Sequence, residues 1–78
     1  KRYISARAAP ESGDTIAFSY SDAQIGTNEY ISVVIEDNGA ITYYGRILQP
    51  ESASGTASLN LPDGVTLSGT TKLYVFNE

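Results

Sequence analysis

The sequence predicts an all-β domain, a small antiparallel immunoglobulin-like β-sandwich of six or seven strands, and three observations carry that expectation. Apolar residues recur at every second position over short segments, the period that sends successive side chains to opposite faces of a strand. Clusters of Gly, Pro, Asn, Asp and Ser separate those segments at short intervals. No window carries a sustained i, i+3, i+4 pattern, so helix is expected to be a minor component. A small barrel is the alternative closure of the same strands. There is no Cys pair and no Trp, so immunoglobulin-like refers here to architecture.

Tyr3 to Ala8 alternates weakly, Ile4, Ala6 and Ala8 against Tyr3, Ser5 and Arg7, and fits an edge strand. Pro10 through Asp14 has turn composition, and Thr15 to Tyr20 follows as a strong strand with Ile16, Phe18 and Tyr20 on one face. Ser21 to Asn28 is polar and reads as a loop, with room for a single helical turn and with Ile25 as a plug for one end of the core. Gln49 to Gly55 is rich in Pro, Ser and Gly. Thr56 to Leu61 then resumes alternation through Ala57, Leu59 and Leu61. Pro62-Asp63-Gly64 has the chemistry of a type I or type II turn. Thr71 to Asn77 closes the chain with Leu73 and Val75 on one face and Tyr74 and Phe76 on the other, so both faces are expected to be at least partly covered.

Between these segments lies the clearest signal, two strands from Glu29 to Leu48 joined at Asp37-Asn38-Gly39. Asn-Gly supplies the positive φ that a hairpin turn demands. Two registers compete. A loop of Asn38 and Gly39 alone sets Ile35 against Thr42 and Ile31 against Arg46, mixing apolar with polar. A three-residue loop with Gly39 left-handed sets Ile35 against Ile41, Val33 against Tyr43 and Ile31 against Gly45, giving one apolar face, and is the preferred reading. It places Phe18, Val33, Ile35, Ile41, Leu59, Leu61, Leu73 and Val75 in the core. It also turns Tyr44 and Arg46 together to the other side.

With 78 residues the chain holds one domain, near the lower limit at which a single core repays roughly 1–2 kcal/mol of backbone entropy per residue. No Cys means no disulfide or thiolate ligand, and no His removes the commonest metal ligand and general base. A net charge of −4 with five basic residues leaves no patch suited to nucleic acid, and the same acidity disfavours anionic membrane surfaces. No apolar run approaches the roughly 20 residues needed to span a bilayer, so direct membrane insertion is not expected. The chain contains no Met, and residues 1–78 are expected to be one module excised from a longer multi-domain protein.

The run LPDGVTLSGTTKLYVFNE, preceded by a YYGRI strand and by SGTASLNLP, resembles immunoglobulin-like β-sandwich repeats from large cell-surface proteins of gut Firmicutes, with the likeness covering Ile16 onward. The resemblance implies secretion, attachment to a bacterial cell wall and a spacer or adhesive role beside neighbouring domains of the same polypeptide. In such repeats the segment resembling Leu61 to Glu78 leads into one more strand. Thr71 to Asn77 is therefore expected to have an unpaired edge, open to self-association with a second copy.

Residues that could carry chemistry are few. The carboxylates Glu11, Asp14, Asp22, Glu36, Asp37, Glu51 and Asp63 sit mostly at turns, where solvation explains them better than a glycosidase pair. Calcium through Asp22, Asn28 and Glu29, or through Asp37 and Asn38, lacks the D-x-D-x-D-G spacing, so no metal or other cofactor is expected. Lys72 with Asn77 or Glu36 offers an isopeptide crosslink of the kind some Gram-positive surface domains form. Serines have no His as base and no G-x-S-x-G or S-x-x-K context, so no catalytic residue is assigned. Tyr44, with Arg46 beside it and Tyr30 near, is the best ligand-binding candidate, because an exposed ring next to a donor stacks on sugars or anchors a protein. The expected function is that of a non-enzymatic extracellular module, a spacer or protein-interaction and adhesion domain. The alternative is a carbohydrate-binding module using exposed tyrosines.

Overall fold

Six strands in two antiparallel sheets make up the computed structural model, which describes residues 2–11 and 13–78. Ser12, within the expected Pro10–Asp14 turn, lies outside the described residues. β1 (Arg2–Ala8), β6 (Thr71–Asn77), β3 (Ile31–Asp37) and β4 (Ala40–Leu48) form a four-stranded sheet in the order β1-β6-β3-β4. β2 (Thr15–Tyr20) and β5 (Gly55–Asn60) pair as a two-stranded sheet. The small sandwich expected from the alternation is the fold adopted, and no helix occurs among the described residues.

The buried core is the set of odd or even positions that each strand turns inward. Ile16, Phe18 and Tyr20 of β2 and Leu59 of β5 meet Ile31, Val33 and Ile35 of β3 and Leu73 and Val75 of β6. Phe18, Val33, Ile35, Leu59, Leu73 and Val75 are core as expected. Leu61 is only half-buried and packs against the core from the loop that follows β5. Ile25 does not plug the sandwich: it is 58% exposed, and Ala23 of the same loop is buried instead.

The β3–β4 hairpin corrects the preferred register. Its loop is the two residues Asn38 and Gly39, both with positive φ (52° and 89°), the signature of a type I′ turn, and Asp37 pairs with Ala40. Gly39 has the expected conformation, but Asn38 shares it, and that makes the turn shorter. The mixing of polar and apolar pairs that the short loop threatened is then undone by a bulge. Glu36 pairs with Ile41, Thr42 is skipped, and Ile35 pairs with Tyr43, Val33 with Gly45 and Ser32 with Arg46. The Thr42 hydroxyl donates to the Ile35 carbonyl at 3.3 Å within the bulge. A second shift leaves Ile47 unpaired and sets Ile31 against Leu48. Ile41 consequently stands on the outer face and is 69% exposed, so its expected place in the core is wrong.

Gly45 is required by a close approach. The Tyr43 ring lies back over it on the inner face, and a Cβ at Gly45 would fall on the Tyr43 phenol. β1 carries a bulge of its own at Ile4, between the pairs Tyr3–Phe76 and Ser5–Val75. That bulge breaks the simple alternation read in the sequence and lets Ile4 pack against the core.

The terminal strand also departs from expectation. β6 is not an open edge, because it pairs with β1 on one side and β3 on the other. The edges of the larger sheet are β1 and β4, both bulged, which is one way natural sheets discourage pairing between copies.

These placements separate two isoleucines that the alternation alone treats alike. Ile35→Ala should cost about 2–5 kcal/mol through the cavity it leaves, whereas Ile41→Ala should change stability by about 0.5 kcal/mol or less. Urea midpoints of the two variants check this, and similar losses would place Ile41 back in the core.

Candidate recognition site on the outer sheet face

The face of the four-stranded sheet turned away from β2 and β5 is built from the alternate residues of each strand. Cross-strand pairing sets Tyr3 beside Phe76, Phe76 beside Ser32 and Ser32 beside Arg46 in one row. The next row holds Ala6, Tyr74, Val34 and Tyr44, and a third holds Ala8, Lys72, Glu36 and Ile41. At the other end Tyr30 and Glu78 continue the β3–β6 ladder through paired backbone bonds of 2.6 and 2.9 Å. Five aromatic side chains therefore share one face: Tyr3, Tyr30, Tyr44, Tyr74 and Phe76. Tyr3 and Phe76 meet edge to face at 5.7 Å, and the Tyr74 phenol donates to Glu36 at 3.4 Å.

The three residues singled out from the sequence converge here around a fourth. The Tyr44 phenol donates a hydrogen bond to the Glu78 carboxylate, Arg46 Nε lies 3.5 Å from the same carboxylate oxygen, and the Arg46 guanidinium stacks 4.6 Å above the Tyr30 ring. Tyr44 remains half-exposed and the Arg46 side chain more so, while Glu78 is largely covered. The hydrogen bond to Glu78 raises the Tyr44 phenol above its ordinary pKa; burial and the carboxylate charge add to this, and Arg46 opposes it. Glu78 is the member that sequence reasoning missed. Only the pairing of Tyr30 with Glu78 brings the end of the chain to this face, and no spacing pattern reports it.

Ser32 stands on the same face of β3, paired with Phe76 of β6 on one side and Arg46 of β4 on the other. It is fully buried, and its hydroxyl has no hydrogen-bond partner among the described residues. A covered, unpaired hydroxyl costs about 1–3 kcal/mol.

The remaining polar clusters serve the fold. Buried Asn77 accepts from Gln24 N at 2.5 Å and from Arg2 at 3.3 Å, and donates to the Tyr30 carbonyl at 3.2 Å and to Glu29 at 3.3 Å. It points inward while Lys72 points outward opposite Glu36, so the Lys72–Asn77 crosslink is excluded by opposite faces. Asp37 accepts from the Thr70 hydroxyl at 2.5 Å and the Ser68 hydroxyl at 2.9 Å, which tie the β5–β6 connection to the hairpin. Among the described residues no group of three or more Asp or Glu stands close enough to hold a metal ion, and no helix is long and apolar enough to cross a membrane. One open surface cleft lies between Ile25–Thr27 and Gln49–Glu51, and another, at the hairpin end, is lined by Glu36 and Lys72 at the margin of this face. The outer face itself is a platform.

No protein-family model, curated protein or solved structure matches this chain.

Two measurements test this geometry. Ser32→Ala removes an unsatisfied group and should raise stability by about 1 kcal/mol; a lower urea midpoint would reveal a partner for the hydroxyl. The Thr70 hydroxyl, then that of Ser68, holds the Asp37 carboxyl below its ordinary value. A depressed folded pKa means that this contribution to stability is present above the unfolded value of about 3.9 and is lost as pH falls through the lower folded value. Thr70→Val should therefore raise the Asp37 titration midpoint toward the ordinary carboxylate range, followed by carboxyl-carbon NMR, and an unmoved midpoint would remove Thr70 as the cause.

Proposed function

We propose that this chain is a non-enzymatic module of an extracellular bacterial surface protein, a protein-interaction or adhesion domain whose contact surface is the outer face of the four-stranded sheet. The observation that carries the reading is the gathering of Tyr3, Tyr30, Tyr44, Tyr74 and Phe76 on that one face. Tyr3 and Tyr44, with Ile41, are substantially exposed. Large, rigid aromatic side chains dominate protein interfaces because they bury much apolar area with little loss of rotamer entropy. A flat platform rimmed by Lys72, Glu36 and Arg46 suits a protein surface better than a small molecule, which prefers a concavity. The resemblance to surface-protein repeats supports the extracellular, cell-wall-associated setting.

The test displays the chain on a bacterial cell and measures adhesion to protein-coated surfaces. Wild-type chain should promote adhesion, and a Tyr3→Ser, Tyr44→Ser double variant, still folded by circular dichroism, should lose it. Equal adhesion by the two would remove the outer face as the contact surface.

A further inference from the structure

We infer that the outer edge of β5 receives an extended peptide segment of another protein as an added antiparallel strand, a segment that alternates apolar and polar residues and carries a basic residue at each end.

The backbone geometry identifies the open side. Leu61 N–H bonds the Asp14 carbonyl at 2.8 Å, which makes Asp14–Leu61 a hydrogen-bonded pair and, at every second position from it, Ile16–Leu59 and Phe18–Ala57 as well. Thr56, Ser58 and Asn60 therefore turn their N–H and C=O groups away from β2. Among the described residues no strand and no loop backbone pairs with that side. The other edges of the two sheets are defended: β1 and β4 are bulged, and on the outer side of β2 the Arg7 guanidinium bonds the Ala17 carbonyl at 3.0 Å. β5 has no such device. Its register against β2 is unbroken, and Gly55–Asn60 contains no charge and no Pro, the features that natural sheets use to repel a further strand.

The surroundings of this edge describe its occupant. β4 is the strand of the larger sheet that approaches β5, and no residue of β4 is fully buried. Tyr43, Ile47 and Leu48 of β4, with Ala57 and Leu61 at β5, pack only half-buried against the core. A strand added to β5 turns every second side chain toward this strip, so those residues are apolar. The alternate ones lie beside exposed Thr56, Ser58 and Asn60, and are polar. An open cleft of about 370 Å3, lined by Leu48, Glu51, Gly55 and Thr56 among others, gives the segment its entry at the Gly55 end. Glu51 stands at that end, and Asp63 follows β5 at the other. The described basic side chains lie elsewhere: Arg2 beside Asn77, Arg7 at the β2 edge, Arg46 and Lys72 on the outer face of the larger sheet. Charge complementarity thus calls for Lys or Arg at the ends of the segment. A second copy of this chain fits less well, because its net charge is −4 and its own β5 brings no basic residue.

The experiment titrates the chain with the peptide Lys-Val-Ser-Val-Ser-Val-Ser-Val-Lys and with its Glu-ended counterpart, followed by NMR and amide hydrogen exchange. Saturable binding of the Lys-ended peptide is expected, with the Thr56, Ser58 and Asn60 amides gaining protection, and binding of the Glu-ended one at least about tenfold weaker. N-methylation of the central Ser, whose N–H faces β5, should abolish binding, whereas N-methylation of a Val, whose N–H faces away, should leave most of it. Ser58→Pro removes an outward N–H that β2 does not use and should also abolish binding; if that variant does not fold, the methylated peptides decide. No saturable binding, equal binding of the two peptides, or equal effects of the two methylations overturns the inference. Protection of the same amides in the chain alone, rising with its concentration, assigns the edge to a second copy and overturns it too. A chain that supports adhesion but binds no peptide loses this inference and keeps the proposed function, which rests on the other sheet.

Discussion

Everything in this domain depends on the last strand lying in the middle of a sheet. β6 pairs with β1 along one side and with β3 along the other, so the larger sheet exists only when the chain's final segment has been threaded between its first strand and its third. Leu73 and Val75 fill the inner core, and Tyr74 and Phe76 half-cover the outer face. Such non-local pairing must bear the entropy of closing most of the chain before contacts return it. Asn77 secures the arrangement by binding the β2–β3 loop at Gln24, the ladder at Tyr30 and the first strand at Arg2. Removing its amide would break several part-buried hydrogen bonds at once.

A central β6 also explains why the outer face is so aromatic. With only β2 and β5 as a second layer, one face of four strands has no sheet to cover it. Large side chains lying across one another reduce its exposed backbone and apolar area, and the same side chains leave a platform with contact value. The polar bonds on that face, Tyr74 with Glu36 and Tyr44 with Glu78, hold the rings at fixed angles. The residues that hold this face together are thus the same ones that form the proposed contact surface.

The sequence is legible where a local rule acts alone. β2 and β6 have the predicted limits, because strict alternation over six or seven residues admits one reading. Gly39 has the positive φ expected of Asn-Gly, and Pro62-Asp63-Gly64 forms a turn in which Val65 N–H bonds the Pro62 carbonyl and Gly64 is left-handed. Tyr44 and Arg46 share a face because they are two apart with no bulge between them. Legibility fails wherever a single extra residue resets the count. The bulges at Ile4, Thr42 and Ile47 each reverse the parity of the residues beyond them, so alternation alone gives the wrong register past the turn and puts Ile41 on the wrong side.

The sequence by itself determined an all-β domain, the identity of most core residues, the position of the hairpin turn and the lack of residues for thiol or imidazole chemistry. All of these follow from side-chain chemistry and from interactions between residues close along the chain. The tertiary structure decided the strand order, the bulged registers, and the meeting of Tyr30, Arg46, Tyr44 and Glu78 on the outer face. Those depend on which distant strands become neighbours and on where a bulge relieves the conflict between turn geometry and burial. That choice minimises the free energy of the whole sheet, so no short window of sequence contains it.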